Sequence, residues 1–264
     1  LTDVTGVQTC ALPIYFGLLH YDPVTGTVRS FGVSLQDPYS FLMQRLGLPF
    51  IDSKGRVWIG NTQGISRLVD RPEQWEHYFF SKHGPDDLQR EDNVNCYYED
   101  RDGTLWLGTV STGMARFHPE TGAFDIYRSN LSDSVGLSSN HVLCITPDPA
   151  EPERYLWIGT DGGGLNLFDK KRGTFRRFGL KDGLPNMVVY GILPDTEGML
   201  WMSSNNGISR LDPSRMTFTN YTRRDGLQDN EFNRTEYCSI PPMLYFGGVR
   251  GHNAFDPRDI RRNK

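Results

Sequence analysis

Short runs of alternating apolar and polar residues recur along this chain, each about five residues long and each closed by a turn signal. Val94 to Glu99 (VNCYYE), Leu105 to Thr109 (LWLGT), Met114 to His118 (MARFH) and Phe124 to Arg128 (FDIYR) form one complete set. A period of two sends successive side chains to opposite faces, which is what a half-buried strand requires. A D-x-x-G turn precedes the second run and a Gly-rich turn follows it. A D-P-x-T-G type of turn precedes the fourth, as at Pro119 to Gly122 (PETG) and Pro23 to Gly26 (PVTG). Proline presets φ at the first central position of such turns, and glycine supplies the left-handed residue. The pattern predicts four-stranded antiparallel sheets: an inner strand such as Val142 to Thr146 (VLCIT), a second and a third strand, then an outer one.

The set repeats. Asp52 to Leu68 (DSKGRVWIGNTQGISRL), Asp100 to Phe117 (DRDGTLWLGTVSTGMARF), Tyr155 to Asp169 (YLWIGTDGGGLNLFD) and Asp195 to Asp212 (DTEGMLWMSSNNGISRLD) share one setting for a tryptophan. A weaker fifth copy, Met243 to Asp256 (MLYFGGVRGHNAFD), has Tyr245 in that position. Steps between Trp58, Trp106, Trp157, Trp201 and Tyr245 are 48, 51, 44 and 44 residues. Periods of roughly 40–50 residues in an all-β sequence indicate β-propeller blades. The fold class is therefore all-β, a propeller of four-stranded blades. One large ring per blade fills the wedge between neighbouring sheets, and truncating one should cost about 3–5 kcal/mol. Those four tryptophans and Tyr245 are assigned to the blade core. Trp75 falls outside the pattern, in an outer-strand region (QWEHYFF) where exposure is the expectation.

Tyr15 to Phe31 (YFGLLHYDPVTGTVRSF) matches only the second half of a repeat. Before it, Val4 to Ile14 (VTGVQTCALPI) resembles the conceptual translation of a sequencing adapter, so residues 1–14 are set aside as non-native. Residues 15–264 then hold about five and a half blades, read as a truncated part of a seven-bladed propeller. In the alternative, the half blade pairs with the last copy, whose outer strand is weak, and closes a six-bladed ring.

Composition narrows the function. Aromatics at 12%, with 28 glycines and 16 prolines, suit short strands joined by tight turns. A net charge of -4 gives no footprint for nucleic acid, and no apolar stretch approaches the roughly 18 residues of a membrane span. The four cysteines (Cys10, Cys96, Cys144, Cys238) contain no CxxC pair; Cys96, Cys144 and Cys238 read as small core residues of corresponding strands. The six histidines show no metal spacing: His77 and His83 are placed in a loop, and His20 and His118 at the surface. No metal or cofactor is expected.

The repeats resemble those of the two-component regulator propeller family, whose pattern is a glycine turn, L-W-[IL]-G-T and a G-[LI]-x-[RN]-[LF]-D strand. The likeness runs from Tyr15 to Pro257. Asp225 to Asn233 (DGLQDNEFN) with Leu244 to Pro257 (LYFGGVRGHNAFDP) resembles the closing blade of such propellers; Met202-Ser203-Ser204 departs from the usual I-G-T. The resemblance implies the extracytoplasmic, periplasmic sensor region of a membrane-anchored hybrid histidine kinase. It further implies an oligosaccharide ligand, a downstream β-sandwich and kinase modules in the same parent chain, and a homodimer in the parent. Kinase activity would belong to the parent, and this chain would be non-catalytic.

If the D-x-x-G and D-P-x-T-G turns share one end of the blades, two other loop sets share the opposite end. After the tryptophan strands come Asn61, Thr62, Gln63, Thr109, Ser111, Thr112, Thr160, Asp161, Ser204, Asn205 and Asn206. Entering the inner strands are Asn93, Asn95, Asn140, His141, Asn186, Asn230, Glu231, Asn233 and Arg234. Amides and hydroxyls in that density suit the donors and acceptors of a sugar, although Asn, Ser and Thr also serve turn backbones. A glycoside hydrolase would need two carboxylates at matched separation, and Asp161 and Glu231 are the candidates. A protein-binding scaffold would instead need an exposed aromatic patch, for which Trp75, Tyr78, Phe79 and Phe80 are the local candidates.

Overall fold

The computed structural model describes residues 10–14, 17–22, 25–32, 47–69, 74–81, 92–130 and 135–260. Three short strands come first: β1 (Cys10–Ile14), β2 (Gly17–Asp22) and β3 (Thr27–Gly32). Four sets of four follow. These are β4 (Pro49–Ile51), β5 (Val57–Asn61), β6 (Gly64–Leu68) and β7 (Trp75–Phe79); then β8 (Val94–Glu99), β9 (Leu105–Thr109), β10 (Met114–His118) and β11 (Ala123–Tyr127). The next are β12 (Val142–Pro147), β13 (Tyr155–Thr160), β14 (Leu165–Asp169) and β15 (Thr174–Phe178); then β16 (Gly191–Pro194), β17 (Leu200–Ser204), β18 (Gly207–Asp212) and β19 (Thr217–Tyr221). The last set has three strands, β20 (Phe232–Ile240), β21 (Met243–Gly248) and β22 (Gly251–Phe255). Each set of four is one sheet in sequence order, and β1–β3 and β20–β22 are separate three-stranded sheets. The chain thus folds as β-propeller blades of four strands, with the half blade and the fifth copy in different sheets. Cys10–Ile14, set aside on sequence, forms an edge strand beside β2, with Cys10 opposite Tyr21 and Ile14 opposite Gly17.

Contacts divide the chain into two compact units, residues 1–111 with 116–126, and residues 112–115 with 127–264. In the first, Trp58 lies fully buried against Phe117, ring centroids 5.3 Å apart, and Tyr78 and Phe124 extend the cluster. In the second, Trp157 packs with Leu165, Ile192, Leu200 and Met202, and Trp201 with Phe232, Leu244 and Phe246. Each tryptophan of the second unit therefore reaches forward into the next sheet.

The indoles are fixed by a device beyond packing. Trp58 Nε1 donates to Asp52 at 2.8 Å, Trp106 to Asp100 at 2.7 Å, Trp157 to Asp148 at 2.8 Å and Trp201 to Asp195 at 2.8 Å. In three of these the other carboxylate oxygen closes the preceding turn. Asp195 Oδ1 accepts the amides of Glu197 and Met199, Asp52 Oδ1 those of Lys54 and Arg56, and Asp148 Oδ1 those of Ala150 and Glu151. One carboxylate thus sets the turn and satisfies a buried donor that would otherwise be costly. A guanidinium from the third strand covers the ring in three blades: Arg67, Arg116 and Arg210 lie 5.8, 5.6 and 5.7 Å from the Trp58, Trp106 and Trp201 rings. Leu167 stands opposite Trp157 instead.

The Met202-Ser203-Ser204 departure has a steric answer. A Cβ on Gly159 would meet Cys144 Sγ at 2.5 Å and the Val189 carbonyl at 2.7 Å. At the matching place on β17 stands Ser203, and its cross-strand partner is Gly191, which presses on the Tyr237 ring. The small residue has moved to the opposite strand, so the spacing between β16 and β20 is kept.

Four expectations need correction. Trp75 is 1% exposed, since it pairs with Leu68 across β6 and turns inward. His77 lies in strand β7, with Nδ1 2.8 Å from Ser66 Oγ, and His83 lies outside the described residues. Cys144 is buried and burial pushes the Cys96 thiol up to about 12, but Cys238 is exposed, because β20 shows much of its length to solvent. Tyr245 is half-buried; Leu244 and Phe246, on its two sides, are the buried residues of β21.

Candidate functional site

Antiparallel order puts the D-x-x-G and D-P-x-T-G turns at one end of each sheet, and the loops after the second and outer strands at the other. In the second unit that second end is continuous. The Thr160 carbonyl accepts the Val189 amide at 3.1 Å and the Asn230 carbonyl accepts the Gly207 amide at 2.7 Å, which ties the loops of successive sheets together.

Most amides and hydroxyls named from sequence are engaged in holding these loops. Asn61 accepts from the Gln63 amide and donates to Ser66, while the Thr62 carbonyl accepts the Asp92 amide. The Asn93 side chain accepts the Val94 amide, the Ser111 amide donates to Asp92, and Thr109 and Thr112 are buried. Asn95 is half-buried at the irregularity in β8. In the second unit Asn140 accepts the Ser129 amide at 2.6 Å, and Asn230 accepts the Arg223 amide at 2.7 Å. Thr160 and Ser204 donate to the carbonyls of Gly164 and Gly207, and Asn186 accepts the Val188 amide. Such local bonds are the usual employment of these side chains.

A smaller group, Asp161 and Arg234, faces outward, with the half-buried His141 against the carboxylate. His141 Nδ1 lies 3.3 Å from Asp161 Oδ2, and Arg234 Nη2 lies 3.6 Å from the same oxygen. The pair at 141 and 161 is set by the backbone, since the Asp161 amide donates to the His141 carbonyl at 2.9 Å. Arg234 arrives from further along the chain. Between Phe232 and Tyr237, β20 advances five residues while β21 advances two, so residues 233–236 stand out of the ladder. Thr235 takes φ +61°, a left-handed conformation unfavourable for a β-branched residue, and the excursion carries Arg234 to Asp161. Asn233 Nδ2 braces it by donating to Glu236 at 2.9 Å. Nearby in sequence, Asn205 accepts from the Tyr190 hydroxyl at 2.7 Å, Asn206 donates to the Pro185 carbonyl, and Glu231 is exposed.

Asp161 lies against two basic groups, His141 and Arg234. The aromatic patch is largely internal: Tyr78 packs on Trp58 and Phe117, and Phe80 on Phe124 at 5.1 Å. Among the described residues no group of three or more His, Cys, Asp or Glu is placed to hold a metal ion.

Comparison with known proteins agrees with the repeat. The two-component regulator propeller family matches at residues 89–111 and 183–206. Histidine kinase P4 of Formosa agariphila is 22% identical over 259 residues, covering 78% of this chain and 18% of that protein's length. The extracellular domain of a proposed hybrid two-component system from B. thetaiotaomicron superposes with a TM-score of 0.61 at 20% identity, covering 95% of this chain and 40% of that one. Virginiamycin B lyase from Staphylococcus aureus, in a catalytically inactive form, gives 0.63 at 15% identity, covering 96% and 81%. An extracellular domain of a two-component system and a lyase share this fold, so the fold alone does not decide catalysis.

Proposed function

We propose, for a chain built of two-component regulator propeller repeats, that it is the non-catalytic ligand-sensing part of a signalling histidine kinase and that its ligand is an oligosaccharide. The observation that carries this reading is the outward-facing set at one end of the second unit: Asp161 and Arg234, with Asn205, Asn206 and Glu231. Loops held by their own hydrogen bonds on rigid sheets are where binding groups are commonly placed. The loops of that end present both donors and acceptors, as the hydroxyls of a sugar require. The likeness to Histidine kinase P4 and to an extracellular two-component domain supports the same reading and an extracytoplasmic location.

Signalling then follows from differential affinity. A ligand that prefers one placement of the propeller against a downstream β-sandwich shifts the population of that placement, and a homodimeric parent passes the shift to its kinase modules. Titration calorimetry of the chain against a panel of soluble oligosaccharides tests the reading. Saturable heat with at least one member is expected, and none across the panel refutes it.

A further inference from the structure

The charges around Asp161 carry the reading one step further, and this step rests on the oligosaccharide function proposed above. Asp161 is 40% exposed and Arg234 is 42% exposed, so each leaves polar atoms open to a ligand while touching the other. An ionised carboxylate only accepts hydrogen bonds and a guanidinium only donates them. A hydroxyl does both, so one sugar hydroxyl can donate to Asp161 while it accepts from Arg234, and its neighbour on the ring can repeat the pattern. A ligand carboxylate offers acceptors alone. It satisfies Arg234 but sets a second negative charge against Asp161.

The surroundings do not reverse that balance. Arg234 and Asp161 cancel formally, Glu231 adds an exposed negative group three residues before Arg234, and Arg250 is held by Asp229 at 3.0 Å. Arg234 reaches Asp161 through one long contact at 3.6 Å rather than a two-pronged fork, so its remaining donors are available. The excursion of residues 233–236, with a strained Thr235, positions this guanidinium, and backbone strain of that kind is retained where a side chain must be placed.

We infer that Asp161 and Arg234, with His141 seated against the carboxylate, form a subsite for an uncharged sugar unit with adjacent free hydroxyls, and that Asp161 excludes a carboxylate-bearing unit. The test is calorimetry of the full chain with neutral hexasaccharides (cello-, xylo-, manno- and laminarihexaose) and with oligogalacturonate and oligomannuronate. The wild type should bind at least one neutral sugar and neither uronate. Asp161→Ala and Arg234→Ala should each weaken the neutral ligand by tenfold or more at an unchanged melting temperature, and Asp161→Asn should admit a uronate. Binding of uronates alone, or neutral binding indifferent to both alanine variants, overturns the subsite while sparing the oligosaccharide function. Binding of nothing in either group overturns both.

Discussion

Asp195 and Trp201 should unfold the protein's stability as a coupled pair. Asp195→Ala removes three hydrogen bonds: from the Trp201 indole at 2.8 Å and from the amides of Glu197 and Met199 at 2.9 Å each. Glu197 is exposed and Met199 half-buried, so water replaces much of the amide bonding. Trp201 is 1% exposed, and its N–H has no such recourse. A bond to a charged acceptor contributes about 1.5–3 kcal/mol, and an orphaned buried donor costs about 1–3 kcal/mol, so the single variant should lose about 2–4 kcal/mol. Trp201→Phe deletes the donor. In that background Asp195→Ala should cost only about 0.5–1 kcal/mol for the turn, leaving a coupling energy of about 1.5–3 kcal/mol. Urea unfolding at neutral pH, followed by circular dichroism, reads all four proteins of the cycle. Costs that add within about 0.5 kcal/mol would refute the claim that the aspartate holds the indole.

Other outcomes follow from the same geometry. Burial would push the Asp52 carboxyl up, but hydrogen bonds from the Trp58 indole, the Arg56 amide and the Arg56 guanidinium outweigh it and hold it below the ordinary range. Its contribution is then complete above the unfolded value of about 3.9 and is lost as pH falls through the native one, so Asp52→Asn should flatten the acid limb of a stability–pH curve. Gly159→Ala should cost about 1–3 kcal/mol in urea unfolding, because its Cβ meets Cys144 and Val189, whereas Ser203→Gly should cost less than about 1 kcal/mol. In a Cys10→Ser background, a thiol reagent should label the exposed Cys238 promptly and leave Cys96 and Cys144 unmodified until the protein unfolds.

Strand positions and the blade period were legible because alternation, glycine turns and a recurring indole all report the same sheet. The clasp on that indole was not. Aspartate before a turn already has a local explanation, and in the third copy the clasping Asp148 stands nine residues before Trp157 rather than six, which breaks the spacing. Trp75 was misplaced because an outer strand carries no consensus; its burial depends on Leu68 across the ladder. At the candidate site, residue type marked the right loops but could not divide them. Asn140 and His141 are adjacent in sequence, yet one caps a connection at Ser129 and the other faces Asp161. Arg234 meets Asp161 only because β20 leaves its ladder between Phe232 and Tyr237, and nothing in the sequence marks that departure.

Hydrogen–deuterium exchange of the chain with a bound oligosaccharide tests the location of the site most directly. Added protection is expected in residues 160–164, 186–190, 204–207 and 229–236, with none in the turns at 169–173, 195–198 and 212–216. Protection confined to those latter turns, or to the outer strands β15 and β19, would contradict it.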